Sequence, residues 1–204
     1  MAMPTASRTR RAGGARRATA LDAVMTVLAE RGYENTRFAD VSAASGVAIS
    51  TLQNYFGSRE DMLIEAMRRS NDMEVATLAA LVEAESDPWA QVAALIERSL
   101  GEPESTQRIL FEFWHAGIRD EEIREYGVEL QARYRAPFVD AVTQGQERGA
   151  FSFTHRPDDV VDLLLAALAG VMIPNMLHHP SPSPAGFRRI LLSQTRAVLG
   201  LDPE

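Results

Sequence analysis

The chain has 204 residues, of which 46% are apolar, 24% charged and none cysteine. That length and apolar share suffice for one or two cored domains, and the lack of cysteine excludes disulfides and any cysteine-ligated zinc. A formal net charge of −7 argues against nucleic acid for the chain taken whole, so the distribution of charge carries the information. Residues 1–17 hold Arg8, Arg10, Arg11, Arg16 and Arg17 before the first acid, Asp22, in a run of Ala, Gly, Ser and Thr. The composition predicts a disordered basic arm, either one that tracks phosphates or enters a minor groove or a solvated terminus without a role. Because Asp22 interrupts the first helical stretch, no apolar signal segment is expected. From Ala18 to Arg31 the stripe Ala20, Val24, Val27 and Leu28 predicts a helix, closed by Gly32 and Tyr33.

Thr36 to Phe56 reads as two short helical patterns around Gly46-Val47. Phe38, Val41 and Ser42 share a face of the first, and Gly46 supplies the positive φ that a steep corner between helices needs. In the second, Leu52 with Tyr55 or Phe56 packs inward, which leaves Ile49, Ser50, Gln53 and Asn54 outside. Gln and Asn can pair bidentately with adenine in a major groove, each good contact adding roughly 1–3 kcal/mol of discrimination, and hydroxyls serve bases or phosphates. Taken alone the pair is either a helix-turn-helix or an ordinary hairpin with a polar outer face. The flanks decide. Gly57-Ser58-Arg59-Glu60-Asp61-Met62-Leu63 is a cap followed by acids in a first turn, the signature of another helix start.

Through R-G-Y-x-x-T, the Gly46-Val47 turn, T-L-x-x-Y-F at Thr51 to Phe56 and S-R-E-D-M-L at Ser58 to Leu63, the chain resembles the TetR family of bacterial one-component repressors from Ala18 to Met67. The resemblance implies that Thr36, Ser50, Thr51, Asn54, Tyr55 and Arg59 occupy positions that commonly touch bases or phosphates. With the outward residues and Arg37, the candidate DNA-contacting set is Thr36, Arg37, Ile49, Ser50, Thr51, Gln53, Asn54, Tyr55 and Arg59. Three positions depart from the family pattern: Gln53 replaces a Tyr, Ala48 a capping Ser, and Arg59 a frequent Lys. An Ala cap forgoes about 1 kcal/mol, and Gln53 implies an altered base preference. Charge agrees with the motif: through Arg69 ten Arg stand against seven acids, a net of +3, and beyond it eleven against twenty-one, a net of −10.

Beyond Met67 the pattern is helical throughout. Ser86-Asp87-Pro88 opens a fifth helix to Leu100, Gly101-Glu102-Pro103 separates it from a sixth ending near Ala116, and a long seventh runs from Asp120 to Arg148 with Pro137 inside it. The eighth, from Pro157, has hardly any polar face, and the ninth, Pro184 to Leu199, carries the stripe Phe187, Ile190, Leu191, Val198 and Leu199. A helix apolar all round must be covered on both sides, so residues 157–178 and 184–199 are expected to build a homodimer as a four-helix bundle. The apolar run Leu163 to Pro174 is too short to span a bilayer, and no membrane partner is expected. F-E-F-W-H-A at Phe111, R-D-E-E-I-R-E at Arg119 and Y-R-A-P-F at Tyr134 resemble, more loosely, the C-terminal domain of the BetI-like branch of that family.

The aromatic cluster of this region makes Trp89, Phe111, Trp114, His115, Tyr134, Phe138, Met172 and Met176 candidate effector-binding residues, with Glu112 and Asn175 as further polar anchors, the alternative for each ring being plain core. Rings beside carboxylates would suit a cation. Enzyme signatures are missing: Glu112 and His115 form one E-x-x-H pair where a di-iron bundle needs two, and there is no nucleophile elbow or phosphate-cradling Gly loop. The reading is an all-α regulator, not an enzyme, with no cofactor and no metal, acting in the cytoplasm. Its parts are an arm at 1–17, a helix-turn-helix domain at 18–69 and a ligand-binding and dimerisation domain at 70–204. Its partners are a palindromic DNA operator, a small-molecule effector and a second copy of itself. The alternative is a ligand-binding or scaffold protein that keeps the fold with little sequence-specific DNA binding.

Overall fold

The structure, a computed structural model, describes residues 5–202, with side chains from Gly14 onward. Among these residues lie nine helices and no strand: α1 Thr5–Arg31, α2 Phe38–Ser45, α3 Ile49–Phe56, α4 Arg59–Ala84, α5 Pro88–Leu100, α6 Glu104–Gly117, α7 Glu121–Glu147, α8 Pro157–Met176 and α9 Pro184–Val198. Their ends follow from local chemistry. Asp87 accepts from the Ala90 N–H at 2.8 Å and Ser183 from the Gly186 N–H at 3.3 Å, and Pro88, Pro157 and Pro184 stand in first turns, where a missing N–H costs nothing. α7 continues through Pro137, so one carbonyl a turn earlier has no helical donor there.

Two differences from the sequence-based expectation concern boundaries. α1 begins at Thr5, so residues 5–17, expected as a disordered arm, are helical; the side chains of Arg8, Arg10 and Arg11 lie outside the described residues. An Ala- and Arg-rich stretch has high helix propensity, and adding residues to an existing helix avoids the cost of nucleation. The chain also divides into two compact units, one of residues 1–71 with 108–127, the other of 72–107 with 128–204. The segment 108–127, expected with the ligand-binding part, packs with the head.

In the first unit Ala20, Leu21, Val24, Val27 and Leu28 of α1 are buried with Val41 of α2, Leu52 and Phe56 of α3 and Met62, Leu63, Ala66 and Met67 of α4. The segment from α6 and α7 contributes Ile109, Phe113, Ile123 and Tyr126. Phe113 and Tyr126 meet edge to face at 5.5 Å, and the Arg68 guanidinium lies 5.0 Å from the Tyr126 ring.

The core of the second unit joins Leu78, Val92, Leu95, Ile96, Phe138, Val142, Phe151, Val160, Val161, Leu164, Leu168, Leu191 and Leu199. Arg135 of α7 binds Asp158 at 2.8 Å and Asp162 at 2.6 Å, and that hydrogen bonding holds the Asp158 carboxyl below its ordinary range. α8 is twenty residues long and, by length and composition, apolar enough to cross a membrane, longer than the apolar run alone suggests. Val160, Val161, Leu164, Leu168 and Val171 nevertheless bury one of its faces, whereas Leu163 and Ile173 stand exposed on the other, as Ile190 does on α9.

Candidate nucleic-acid interface and effector residues

Gly46 makes the corner. It sits at φ 69°, its N–H closes on the Ser42 carbonyl at 3.0 Å, and an added Cβ would meet nothing within 4 Å. The requirement for glycine is therefore conformational, not steric. The Ser45 hydroxyl reinforces the turn, donating to the Val41 carbonyl at 2.6 Å and accepting from the Val47 N–H at 3.2 Å. Beyond the corner Leu52 and Phe56 anchor α3 in the core, while Ile49, Ser50, Gln53 and Asn54 are exposed, Ile49 at 42%. The Ala48 side chain caps nothing, as the sequence implies.

The other candidates divide. Arg37, at the start of α2, is exposed, its backbone N–H held by the Asp40 carboxylate at 3.1 Å. Thr51 and Tyr55 are half-buried. Thr36 departs from expectation: its side chain is fully buried and its hydroxyl donates to the Gly32 carbonyl at 2.8 Å, because the chain must fold back under α1 to start α2. Arg59 is also turned inward. It donates through Nε to the Thr36 carbonyl at 2.7 Å and through Nη2 to the Tyr33 carbonyl, with its guanidinium 4.7 Å from the Tyr33 ring. Four backbone and ring contacts in one corner make these two residues the mortar between α1, α2 and α4.

Arg17, read from the sequence as part of the arm, is in fact on α1 within reach of α3 and α4: it donates to the Tyr55 carbonyl at 3.0 Å and to Glu65 at 2.6 Å. Position in a basic run gave no signal of this; only its spacing from Ala20 and Val24 on one helical face did.

The candidate effector residues fall in both units. Phe111, Trp114 and His115 are exposed on the part of α6 that belongs to the first unit, where Glu112 accepts from the Tyr33 N–H at 3.4 Å. Trp89, Tyr134, Phe138, Met172 and Met176 belong to the second, as does Asn175. Phe138 is core, fully buried, with the Tyr134 ring 5.8 Å away, and Trp89 carries the Arg196 guanidinium at 5.1 Å. Beside Tyr134 lies a polar cluster that no sequence pattern announces. Arg98 of α5 binds Glu74 of α4 at 2.5 Å and Glu102 at 3.0 Å, and the Tyr134 and Ser99 hydroxyls share a hydrogen bond at 2.8 Å. Burial and the neighbouring Glu74 charge push the Glu102 carboxyl up to about 7, and burial pushes the Tyr134 phenol to about 12.

Comparison with known proteins agrees with this architecture. Residues 20–66 match the family model for bacterial regulatory proteins of the tetR family, and residues 88–200 match the C-terminal model of BetI-type transcriptional repressors. The chain is 26% identical over 151 residues to the HTH-type transcriptional repressor KstR2 of Mycobacterium tuberculosis, spanning 73% of this chain and 74% of that one. It is 27% identical over 133 residues to the HTH-type transcriptional regulator BetI of Agrobacterium fabrum, spanning 63% and 64%. Among solved structures, a regulator from Saccharomonospora viridis in complex with choline superposes with a TM-score of 0.77 at 23% identity, covering 86% of this chain and 92% of the other. A TetR regulator from Haloarcula marismortui does so with 0.81 at 17% identity, covering 91% and 99%. The helix-turn-helix at one end and the matched helical region at the other place the chain in the TetR family of transcriptional regulators, with a C-terminal region of the BetI type.

Proposed function

We propose that the protein is a repressor that binds a palindromic operator as a homodimer and is released by a small-molecule effector. The observation that carries this reading is the exposed polar face of α3, where Ser50, Gln53 and Asn54 stand clear of a helix whose apolar side is locked into the head by Leu52 and Phe56. Arg37 adds an exposed cation at the start of α2. Dimerisation is supported by the exposed Leu163, Ile173 and Leu177 on and just past α8 and Ile190 on α9, apolar faces that a second copy would cover. Two heads then meet two half-sites about one helical turn, or a multiple of it, apart. Solved structures of similar fold, the Saccharomonospora viridis regulator and FadR of Bacillus subtilis, are in complex with choline and stearoyl-CoA, which supports an effector for this chain without fixing its chemistry. The site of action is the cytoplasm, where the operator lies.

The uncapped Ala48 and the net charge of −7 favour one rival, a ligand-binding protein that keeps the fold and reads DNA weakly. Selection from random duplexes at physiological salt separates the two. Enrichment of a near-palindrome, with preferred bases relaxed by Gln53→Ala or Asn54→Ala, is the expected result. Equal binding to every duplex by a monomer refutes the repressor.

A further inference from the structure

At eight residues α3 is too short to hold its shape alone in water, so its orientation is set by what grips it. Ala48 gives its N-terminal end no side-chain cap. Its C-terminal end is gripped from α1. Nη2 of Arg17 donates both to the Tyr55 carbonyl, at 3.0 Å, and to Oε2 of Glu65 on α4, at 2.6 Å, and the guanidinium lies 5.3 Å from the Phe56 ring. Carbonyls in a helix's last turn lack helical donors, and a cation there also meets the negative end of the helix dipole. Of the Arg17 side chain 43% is exposed and its Nε is buried without a hydrogen-bond partner, so it is the carbonyl and the carboxylate on Nη2, not burial, that hold the group in place; the adjacent Arg16 is exposed.

We propose that Arg17 is a positioning residue for the recognition helix, fixing the angle at which Gln53 and Asn54 are presented, and that it does not itself track a phosphate. The proposal rests on the DNA-binding reading above. A guanidinium fork can serve a carbonyl, a carboxylate and a ring face together, whereas a lysine ammonium at the same place keeps the charge but not that geometry.

The test uses the full chain carrying Arg17→Gln, Arg17→Lys or Glu65→Gln. It reads affinity for the selected duplex against salt, base preference by renewed selection, and hydrogen exchange of the backbone amides at 53–57. Both Arg17 variants should bind the selected duplex about tenfold or more weakly, the equivalent of one charge-assisted hydrogen bond. Their base preference should relax, the slope of log affinity against log salt should stay at the wild-type value, and amides 53–57 should exchange faster while those of Val24 to Leu28 hold. Glu65→Gln should shift the same readouts in the same direction. A phosphate contact gives the opposite pattern: Arg17→Gln lowers the salt slope by about one with base preference intact, and the other two variants behave as wild type. That pattern overturns the proposal. Should the wild-type protein bind all duplexes alike, the DNA-binding reading fails and exchange alone decides; unchanged exchange at 53–57 in the Arg17 variants then overturns the positioning role. Arg17→Lys and Glu65→Gln carry the same comparison where Arg17→Gln does not fold.

Discussion

Replacing Glu102 by Gln should make the protein more stable above neutral pH and abolish one component of its pH dependence. Glu102 and Glu74 lie on the same Arg98 nitrogen, at 3.0 and 2.5 Å, so one cation faces two carboxylates in a site that leaves the Glu102 side chain 12% exposed. Burial and then the Glu74 charge raise the Glu102 carboxyl from 4.5 to about 7. A folded value above the unfolded one means that the native state binds more protons between these two values. Stability from this group is therefore fully present below pH 4.5 and is lost as pH rises through 7. At 1.36 kcal/mol for each unit, the full swing is about 3 kcal/mol. Gln keeps the shape of the protonated acid and can offer its oxygen to Arg98 and its amide to Glu74. Urea unfolding at fixed protein concentration from pH 5 to pH 8.5 measures the effect as the stability of Glu102→Gln minus that of wild type. The difference should climb by about 2.5 kcal/mol across that range, which starts just above the unfolded value, and level off above pH 8. A difference that stays flat with pH would mean that the pair does not hold its proton at neutrality.

Gly46→Ala should cost about 1–2 kcal/mol, because φ 69° is strained for any residue with a Cβ even though nothing crowds the site; thermal unfolding and loss of duplex binding report it. The double variant Leu163→Asp, Ile190→Asp should sediment as a folded monomer and bind a palindromic duplex at least about a hundredfold more weakly, since linked half-sites multiply affinity by about 10² or more. A dimer of unchanged mass would remove α8 and α9 from the interface.

Glycine and proline punctuation made most of the fold legible. Pro88, Pro157 and Pro184 start helices where the sequence placed them, and Gly46 turns the corner it was expected to turn. Contacts between residues far apart in the chain were not legible. Glu74 and Arg98 are separated by 24 positions on different helices, and neither has a local pattern that marks it as half of a buried cluster. Thr36 and Arg59 have the right chemistry for phosphates, but burial of one and three hydrogen-bond partners for the other arise only from how α1, α2 and α4 meet. At the start of the chain α1 takes in residues from Thr5 onward, a helical extent that the composition of a small, basic run does not announce.

The segment 108–127 bears on how the proposed effector release could reach the head. It lies inside the region matched to the BetI-type C-terminal model, yet it packs with the helix-turn-helix unit. Its Glu112 takes the Tyr33 N–H at 3.4 Å, and an added Cβ at Gly32 would sit 3.3 Å from the same carboxylate, at the corner whose other side Arg59 holds. One hydrogen bond to a charged group contributes about 1.5–3 kcal/mol at good geometry and less at this length, which falls within the 1–3 kcal/mol typical of allosteric coupling. A single contact of that size can bias the head without being needed to fold it. Glu112→Gln, which keeps the shape and removes the acceptor's charge, should therefore lower head stability by no more than about 1 kcal/mol. On the proposed function, the same change should alter the ratio of DNA affinities with and without effector. Full retention of that ratio in Glu112→Gln, with the corner intact by hydrogen exchange at Tyr33, would show that this contact only braces the head and carries no signal.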